Sequence, residues 1–205
     1  MTHSFDKNYW DDIWDGERAP MMSPDDPNPH LVHEIGELEP GTALDAGCGA
    51  GAEAIWLADR GWDVTGADVA DTALNYAEDR AAAAGMAGRI AWVRADLSVW
   101  VPETQYDLVT THYAHPAMGQ LDFYDRIASW VAPGGTLLIV GHLHRGHGES
   151  HPPAEASATA ASITDRLDPA VWTVVTAEES QRTMVGPGGR AITIDDVVVK
   201  AGRDR

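Results

Sequence analysis

A glycine-rich turn set between an apolar stretch and a helical one constrains this chain more than any other feature. Ala43 and Leu44 lead into Asp45-Ala46-Gly47-Cys48-Gly49-Ala50-Gly51, after which Ala54, Ile55, Leu57 and Ala58 recur at three- and four-residue spacing. The pattern reads as a short buried strand, a loop and an amphipathic helix. Glycine lets the backbone approach a ligand with no Cβ in the way. The helix that follows offers free N–H groups and a partial positive charge. Units of this kind build open parallel sheets, whose ligands bind beyond the carboxyl ends of the strands.

The rest of the chain repeats the alternation. Strands are expected at 41–46, 62–67, 90–94, 106–111 and 136–140. Helices are expected at 52–60, from an N-cap at Asp71 to Ala84, and at 121–131, with Pro133-Gly134-Gly135 as a turn. Alternating strands and helices imply a parallel sheet covered on both faces, and the continuously apolar fifth strand suits its centre. Residues 171–176 and 192–199 are strand-like, with Gly186-Pro187-Gly188-Gly189 between them, which implies an antiparallel pair at one side of the sheet. The expected fold class is α/β, a Rossmann-like doubly wound sheet of seven strands, mostly parallel, with a C-terminal antiparallel hairpin. One domain is expected over 1–205. It comprises a helical extension or lid (1–38), a cofactor-binding core (39–141), a His-rich loop (142–161) and a C-terminal helix with the hairpin (162–205).

Two ligand classes compete for the loop. Gly47-x-Gly49-x-x-Ala52 fits the looser dinucleotide fingerprint. Asp45 opposes it, because a carboxylate at the strand tip would face a pyrophosphate of like charge. The same carboxylate is welcome beside S-adenosylmethionine, which carries an ammonium and a sulfonium. Asp68, at the tip of the second strand, can accept hydrogen bonds from ribose hydroxyls in either class.

The string Ala43-Leu44-Asp45-Ala46-Gly47-Cys48-Gly49-Ala50-Gly51 resembles motif I of the class I S-adenosylmethionine-dependent methyltransferases. Gly66-Ala67-Asp68-Val69 resembles their acidic second motif, and Arg94-Ala95-Asp96-Leu97 the adenine-contacting third. Tyr106-Asp107-Leu108-Val109 and Ala132-Pro133-Gly134-Gly135-Thr136-Leu137 resemble the fourth- and fifth-strand signatures. The resemblance covers about 41–140. Tyr9-Trp10-Asp11-Asp12-Ile13-Trp14 and Pro27-Asn28-Pro29 are similar to the small bacterial type related to tellurite-resistance and thiopurine methyltransferases; the C-terminal third departs from that pattern. By this resemblance, Asp45, Gly47 and Gly49, with Gly51 and Cys48 in the same loop, would line the methionine part of the donor. Asp68 would take the ribose, and Val69, Asp96 and Leu97 would flank the adenine. Cys48 is read as a small loop residue and not a nucleophile, since no partner base is evident.

The implied activity is methyl transfer from S-adenosylmethionine to a small nucleophile (a thiol, a selenide or tellurite, or a hydroxyl), leaving S-adenosylhomocysteine. The alternatives are a nicotinamide-dependent oxidoreductase and a non-catalytic cofactor- or metal-binding protein on the same fold. Substrate-facing groups are expected at Thr111-His112-Tyr113-Ala114-His115-Pro116. An imidazole can exchange a proton at physiological pH, so His112 is a candidate general base or cofactor contact, or else a polar strand-end residue that shapes the pocket. His115 is a weaker candidate for the same chemistry. Trp10 and Trp14 share one helix face, placed either to close over the cofactor or to pin the extension to the core. His142, His144, His147 and His151 have spacing that can hold zinc or nickel, but in a Gly- and Pro-rich loop with no fixed geometry, so no metal is expected there and a covering loop is.

Charge narrows the partners. The chain has 205 residues, with 14 Lys plus Arg against 32 Asp plus Glu, for a formal net charge of −18. No basic cluster exists to displace counterions from a phosphate backbone, so neither nucleic acid nor an anionic membrane is an expected partner. Cys48 is the one cysteine, which rules out an intrachain disulfide. The polar N-terminus lacks a signal-peptide pattern and no apolar run would span a bilayer, so a cytoplasmic monomer or homodimer is expected.

Overall fold

The computed structural model describes residues 5–16, 19–22, 26–143, 158–185 and 191–205. Three helices come first: α1 (Lys7–Trp14), α2 (Ala19–Met22) and α3 (Pro29–Ile35). The Asp6 carboxylate accepts the Tyr9 N–H to cap α1. Asn28 caps α3, with Pro29 at its first position, where the missing N–H costs nothing. The alternation follows as β1 (Thr42–Ala46), α4 (Ala52–Asp59), β2 (Asp63–Asp68), α5 (Asp71–Ala83), β3 (Ile90–Arg94), β4 (Tyr106–His112), α6 (Gln120–Ala128) and β5 (Val131–His142). The short α7 (Ala160–Thr164) then precedes β6 (Trp172–Val185) and β7 (Ala191–Arg203).

All seven strands form one sheet in the order β3-β2-β1-β4-β5-β7-β6. β1 to β5 are parallel, and β7 enters antiparallel to both β5 and β6. The strand order reverses between β1 and β4, which opens a crevice at their carboxyl ends. Two apolar layers sandwich the sheet. Along β5, Leu137 and Ile139 join one layer with Phe123 and Ile127 of α6. Leu138 and Val140 join the other with Leu31 and Ile35 of α3 and Leu57 of α4. Period-two alternation with both faces apolar is what double burial of a central strand requires.

Several boundaries differ from the sequence expectation. Helix α6 ends at Ala128, and β5 begins at Val131 and runs through Pro133-Gly134-Gly135. A bulge absorbs that segment: Tyr106 pairs with Val131, Leu108 pairs with Thr136, and Gly134 holds φ +85. Asp71 is the first residue of α5 and not its cap, because its carboxylate is engaged by Lys7 at 3.1 Å and Arg94 at 3.3 Å. The Lys7 bond is the main cause that holds the Asp71 pKa below the usual carboxylate value. The hairpin strands are about twice the expected length. The glycine cluster between them and the segment containing His144, His147 and His151 lie outside the described residues. No helix among the described residues is long and apolar enough to cross a membrane.

Candidate active site

The crevice is a cavity of about 760 Å³. Its floor is the β1–α4 loop. Gly47 and Cys48 both donate their N–H to the Ala67 carbonyl, at 2.8 and 3.1 Å, tying the loop to the end of β2. Gly47 has φ +82, and a Cβ there would stand 2.3 Å from the Ala114 Cβ. Only glycine fits that approach. Gly49 has φ +49 and lies against the edge of Trp14, whose Cζ2 a Cβ would meet at 3.1 Å. Asp68 at the end of β2 accepts the Gly49 N–H at 2.9 Å through one oxygen and the Ala70 N–H at 3.0 Å through the other. Burial raises its pKa, and these two bonds oppose the rise. A carboxylate offers about four acceptor positions, more than these backbone donors fill, so Asp68 keeps capacity for a ligand.

Asp45 stands one layer below the floor, 1% exposed, and does not itself line the cavity. Burial pushes its pKa up to about 6, opposed by His112, with the Glu53 charge adding to the rise. The Asp45 Oδ1 and His112 Nδ1 are 3.9 Å apart. Asp45 Oδ2 and His112 Nδ1 are both buried with no hydrogen-bond partner among the described residues. A cationic ligand above His112 or Gly47 fits this pair, since it would relieve an uncompensated buried carboxylate. Cys48 is buried, and burial with the Asp68 and Asp45 charges drives its pKa well above the ordinary thiol value. It is a protonated loop residue.

The other wall is built by the end of β4, the end of β5 and the hairpin. Tyr113 holds φ +57, uncommon for a bulky residue. Its hydroxyl donates to Asp196 Oδ1 at 2.8 Å and accepts from Arg182 Nη2 at 2.8 Å. Arg182 Nε donates to Asp196 Oδ2 at 2.6 Å, and His30 Nε2 lies 3.1 Å from that same oxygen. Asp196 is fully buried. Burial lifts the Tyr113 pKa to about 12. His142 stacks on Tyr113 with ring centroids 4.2 Å apart, and His115 lies 6.2 Å from His142 at an interplanar angle of 14°. Gln120 fixes His115: its Oε1 is 2.8 Å from Nδ1, and its Nε2 donates to the Ala114 carbonyl at 3.0 Å.

Helix α1 covers the cavity. Trp10 lines it and donates its indole N–H to the His115 carbonyl at 3.1 Å. Trp14 is only 3% exposed, packed among Ala19, Ala50, Ala70 and Ala73, so it pins the extension to the loop as well as bordering the cavity. Asp96, Leu97 and Val69 line the far side, with Leu97 buried and Asp96 exposed. Trp100 packs edge-on against Trp130 at 5.6 Å and stays outside the lining. Of the four histidines with metal-ligand spacing, only His142 falls in the described residues, and it faces Tyr113. No group of three candidate metal ligands occurs among the described residues. Tyr113 lies in the expected substrate-facing segment 111–116, but no sequence pattern marks Arg182, Asp196 and His30. They lie up to 166 positions apart, so no local spacing could have joined them.

The fold is shared with solved structures. The chain superposes on a structure described as "Conversion of a Disulfide Bond into a Thioacetal Group during Echinomycin Biosynthesis" with TM-score 0.72 and 23% identity, covering 97% of this chain and 91% of that one. It also matches a methyltransferase from Geobacter sulfurreducens in complex with S-adenosylhomocysteine, with TM-score 0.60 and 22% identity, over 77% of this chain and 69% of that one. Residues 43–135 match the family described as methyltransferase domain. These likenesses support a class I S-adenosylmethionine-dependent methyltransferase. Two curated methyltransferases resemble it in sequence. A ribosomal RNA small subunit methyltransferase C from Alcanivorax borkumensis is 32% identical over 116 residues, 54% of this chain and 34% of that protein. A probable thiol methyltransferase 2 from Arabidopsis thaliana is 26% identical over 137 residues, 64% of this chain and 60% of that protein. The chain therefore spans less than two thirds of the length of either relative.

Proposed function

We propose that this chain transfers a methyl group from S-adenosylmethionine to a small-molecule nucleophile, a thiol, selenide, tellurite or hydroxyl. One observation carries the reading: a single cavity joins the glycine floor and Asp68 to the β4 tip at His112–Ala117, so a donor on the floor and an acceptor on the wall share one enclosure. Bound on the floor, the donor supplies a methyl carbon already activated by a sulfonium, which an in-line attack displaces. Asp68 offers its remaining acceptor capacity to ribose hydroxyls, and Val69, Asp96 and Leu97 flank the adenine. Asp45 contributes a negative field through the floor. Trp10, held by the His115 carbonyl, keeps water out. Alignment of this kind supplies roughly 7–11 kcal/mol in favourable cases. His112 receives a proton where the acceptor is an alcohol or phenol.

The charge of −18 favours a small acceptor over RNA, although one relative is a ribosomal RNA enzyme. The thiol enzyme among the relatives supports a soft nucleophile. A dinucleotide is disfavoured, because Asp45, Glu53 and Asp68 would surround its pyrophosphate.

Calorimetry tests the donor: S-adenosylhomocysteine binds and NAD does not. Asp68→Asn weakens S-adenosylhomocysteine by roughly 10-fold or more, as expected for loss of charged hydrogen bonds to hydroxyls. Unchanged affinity refutes the ribose role. Screening pooled thiols and phenols for release of S-adenosylhomocysteine then identifies the acceptor.

A further inference from the structure

The cavity contains few cations. Lys7 is engaged by Asp11 and Asp71, and Arg80 donates to the Ala50 carbonyl beneath the glycine loop. Arg182 is the cation of the opposite wall. Its side chain is 26% exposed and lines the cavity beside Ile194, its partner across the β6–β7 ladder. The long hairpin explains the placement. β7 runs antiparallel, so its first half stands at the carboxyl end of β5, with Asp196 opposite His142. Arg182, in the second half of β6, reaches the same level.

Two bonds fix the guanidinium. Nε is held by Asp196 and Nη2 by the Tyr113 hydroxyl. A guanidinium carries five N–H groups in a rigid fork. No described residue accepts from Nη1, so both of its N–H groups and one on Nη2 remain for a ligand. The anchoring carboxylate is fully buried and touches three partners, Tyr113, Arg182 and His30. A buried carboxylate held by a phenol, an imidazole and a guanidinium fixes where the free edge of the Arg182 fork points in the cavity.

We propose that Arg182 is the acceptor-recognition residue, taking a carboxylate or another hydrogen-bond-accepting oxygen carried by the methyl acceptor, with Asp196, Tyr113 and His30 as its positioning residues. This inference rests on the proposed methyl transfer, because it assigns the donor to the floor and leaves the wall for the acceptor. It restricts acceptors to molecules with two functional ends: the nucleophile near the β4 tip and an oxygen that meets the fork.

The probes are benzoate and benzamide, titrated into the full-length protein with and without saturating S-adenosylhomocysteine. Benzoate represents the oxyanion and benzamide the neutral carbonyl. One of the two is expected to bind the wild type and to weaken roughly 10-fold or more in Arg182→Gln, the loss expected for a charge-assisted bond. Benzoate tighter than benzamide assigns an acidic acceptor; the reverse order assigns a carbonyl. Arg182→Lys keeps the charge without the fork and retains part of the affinity, which also covers the case where Arg182→Gln fails to fold. The proposal is overturned if neither probe binds, or if binding survives Arg182→Gln. It is also overturned if Arg182→Gln weakens S-adenosylhomocysteine and leaves the probes untouched, which would make the guanidinium a donor contact. Failure of S-adenosylhomocysteine to bind the wild type counts against the methyl-transfer reading, whereas probe binding that depends on Arg182 stands without it.

Discussion

Gly47→Ala tests the floor of the cavity, and the structure supplies its own control. Two penalties combine at Gly47. A residue with a Cβ in left-handed backbone costs roughly 1–2 kcal/mol. The new Cβ also meets the Ala114 Cβ at 2.3 Å, whereas carbon atoms prefer about 3.5–4.0 Å. Either the loop or the β4 tip must retreat, at a cost of roughly 1–3 kcal/mol for overpacking. Gly85 has φ +74 with nothing within 4 Å of its would-be Cβ, so Gly85→Ala meets the first penalty alone. Ala114→Gly removes the clashing atom and leaves the Ala114 Cα at 3.6 Å, an ordinary contact. Urea denaturation of Gly47→Ala, Ala114→Gly and the double variant then gives a coupling of about 1–3 kcal/mol in favour of the double variant. Turnover of Gly47→Ala falls about 100-fold, since a displacement near 1 Å at the reacting centre has that effect. The reasoning is refuted if Gly47→Ala destabilises no more than Gly85→Ala, or if Ala114→Gly restores nothing.

Asp45 makes stability depend on pH. Its folded pKa of about 6 lies above the unfolded value of 3.8. The fold therefore favours its protonated form, and the contribution is complete below about pH 4 and lost as pH rises through 6. The difference is on the order of 3 kcal/mol. Asp45→Asn removes that slope in urea midpoints measured from pH 4 to 7, and an unaltered slope assigns it to another group. His112→Ala lowers turnover of a phenol more than that of a thiol, because only the phenol needs a base at neutral pH. Equal losses in steady-state assays would make His112 a shaping residue. Cys48 resists a thiol reagent at pH 8 in the folded protein and reacts on unfolding in urea. Labelling of the folded protein at the unfolded rate would show that the glycine loop opens.

The floor was legible in the sequence because its determinants are local. The run Leu44 to Gly51 places an apolar strand, its terminal carboxylate and three glycines within eight positions, and Asp68 and Asp96 follow apolar strands in the same way. Boundaries that depend on tertiary pairing were not legible. Pro133-Gly134-Gly135 has turn chemistry, yet β4 holds it within a strand by a bulge. Asp71 has cap chemistry, yet Lys7 and Arg94 claim its carboxylate. The polar run Glu178-Glu179-Ser180-Gln181 shows little strand character, yet backbone pairing with 195–198 of β7 carries it as an edge strand. The wall at Tyr113 depends on contacts from four separate segments, and its arginine looked like any other surface charge.

Because β7 runs against its neighbours, residues near its start, not its end, stand over the crevice. The floor and the opposing wall are thus encoded in separate stretches of the chain, joined by the β5–β7 backbone ladder and by side-chain bonds such as Tyr113 to Asp196. Arg182 and Asp196 shape that wall and bond to none of Asp45, Gly47 and Asp68. A change at Arg182 therefore reshapes the wall and leaves the glycine floor as it is.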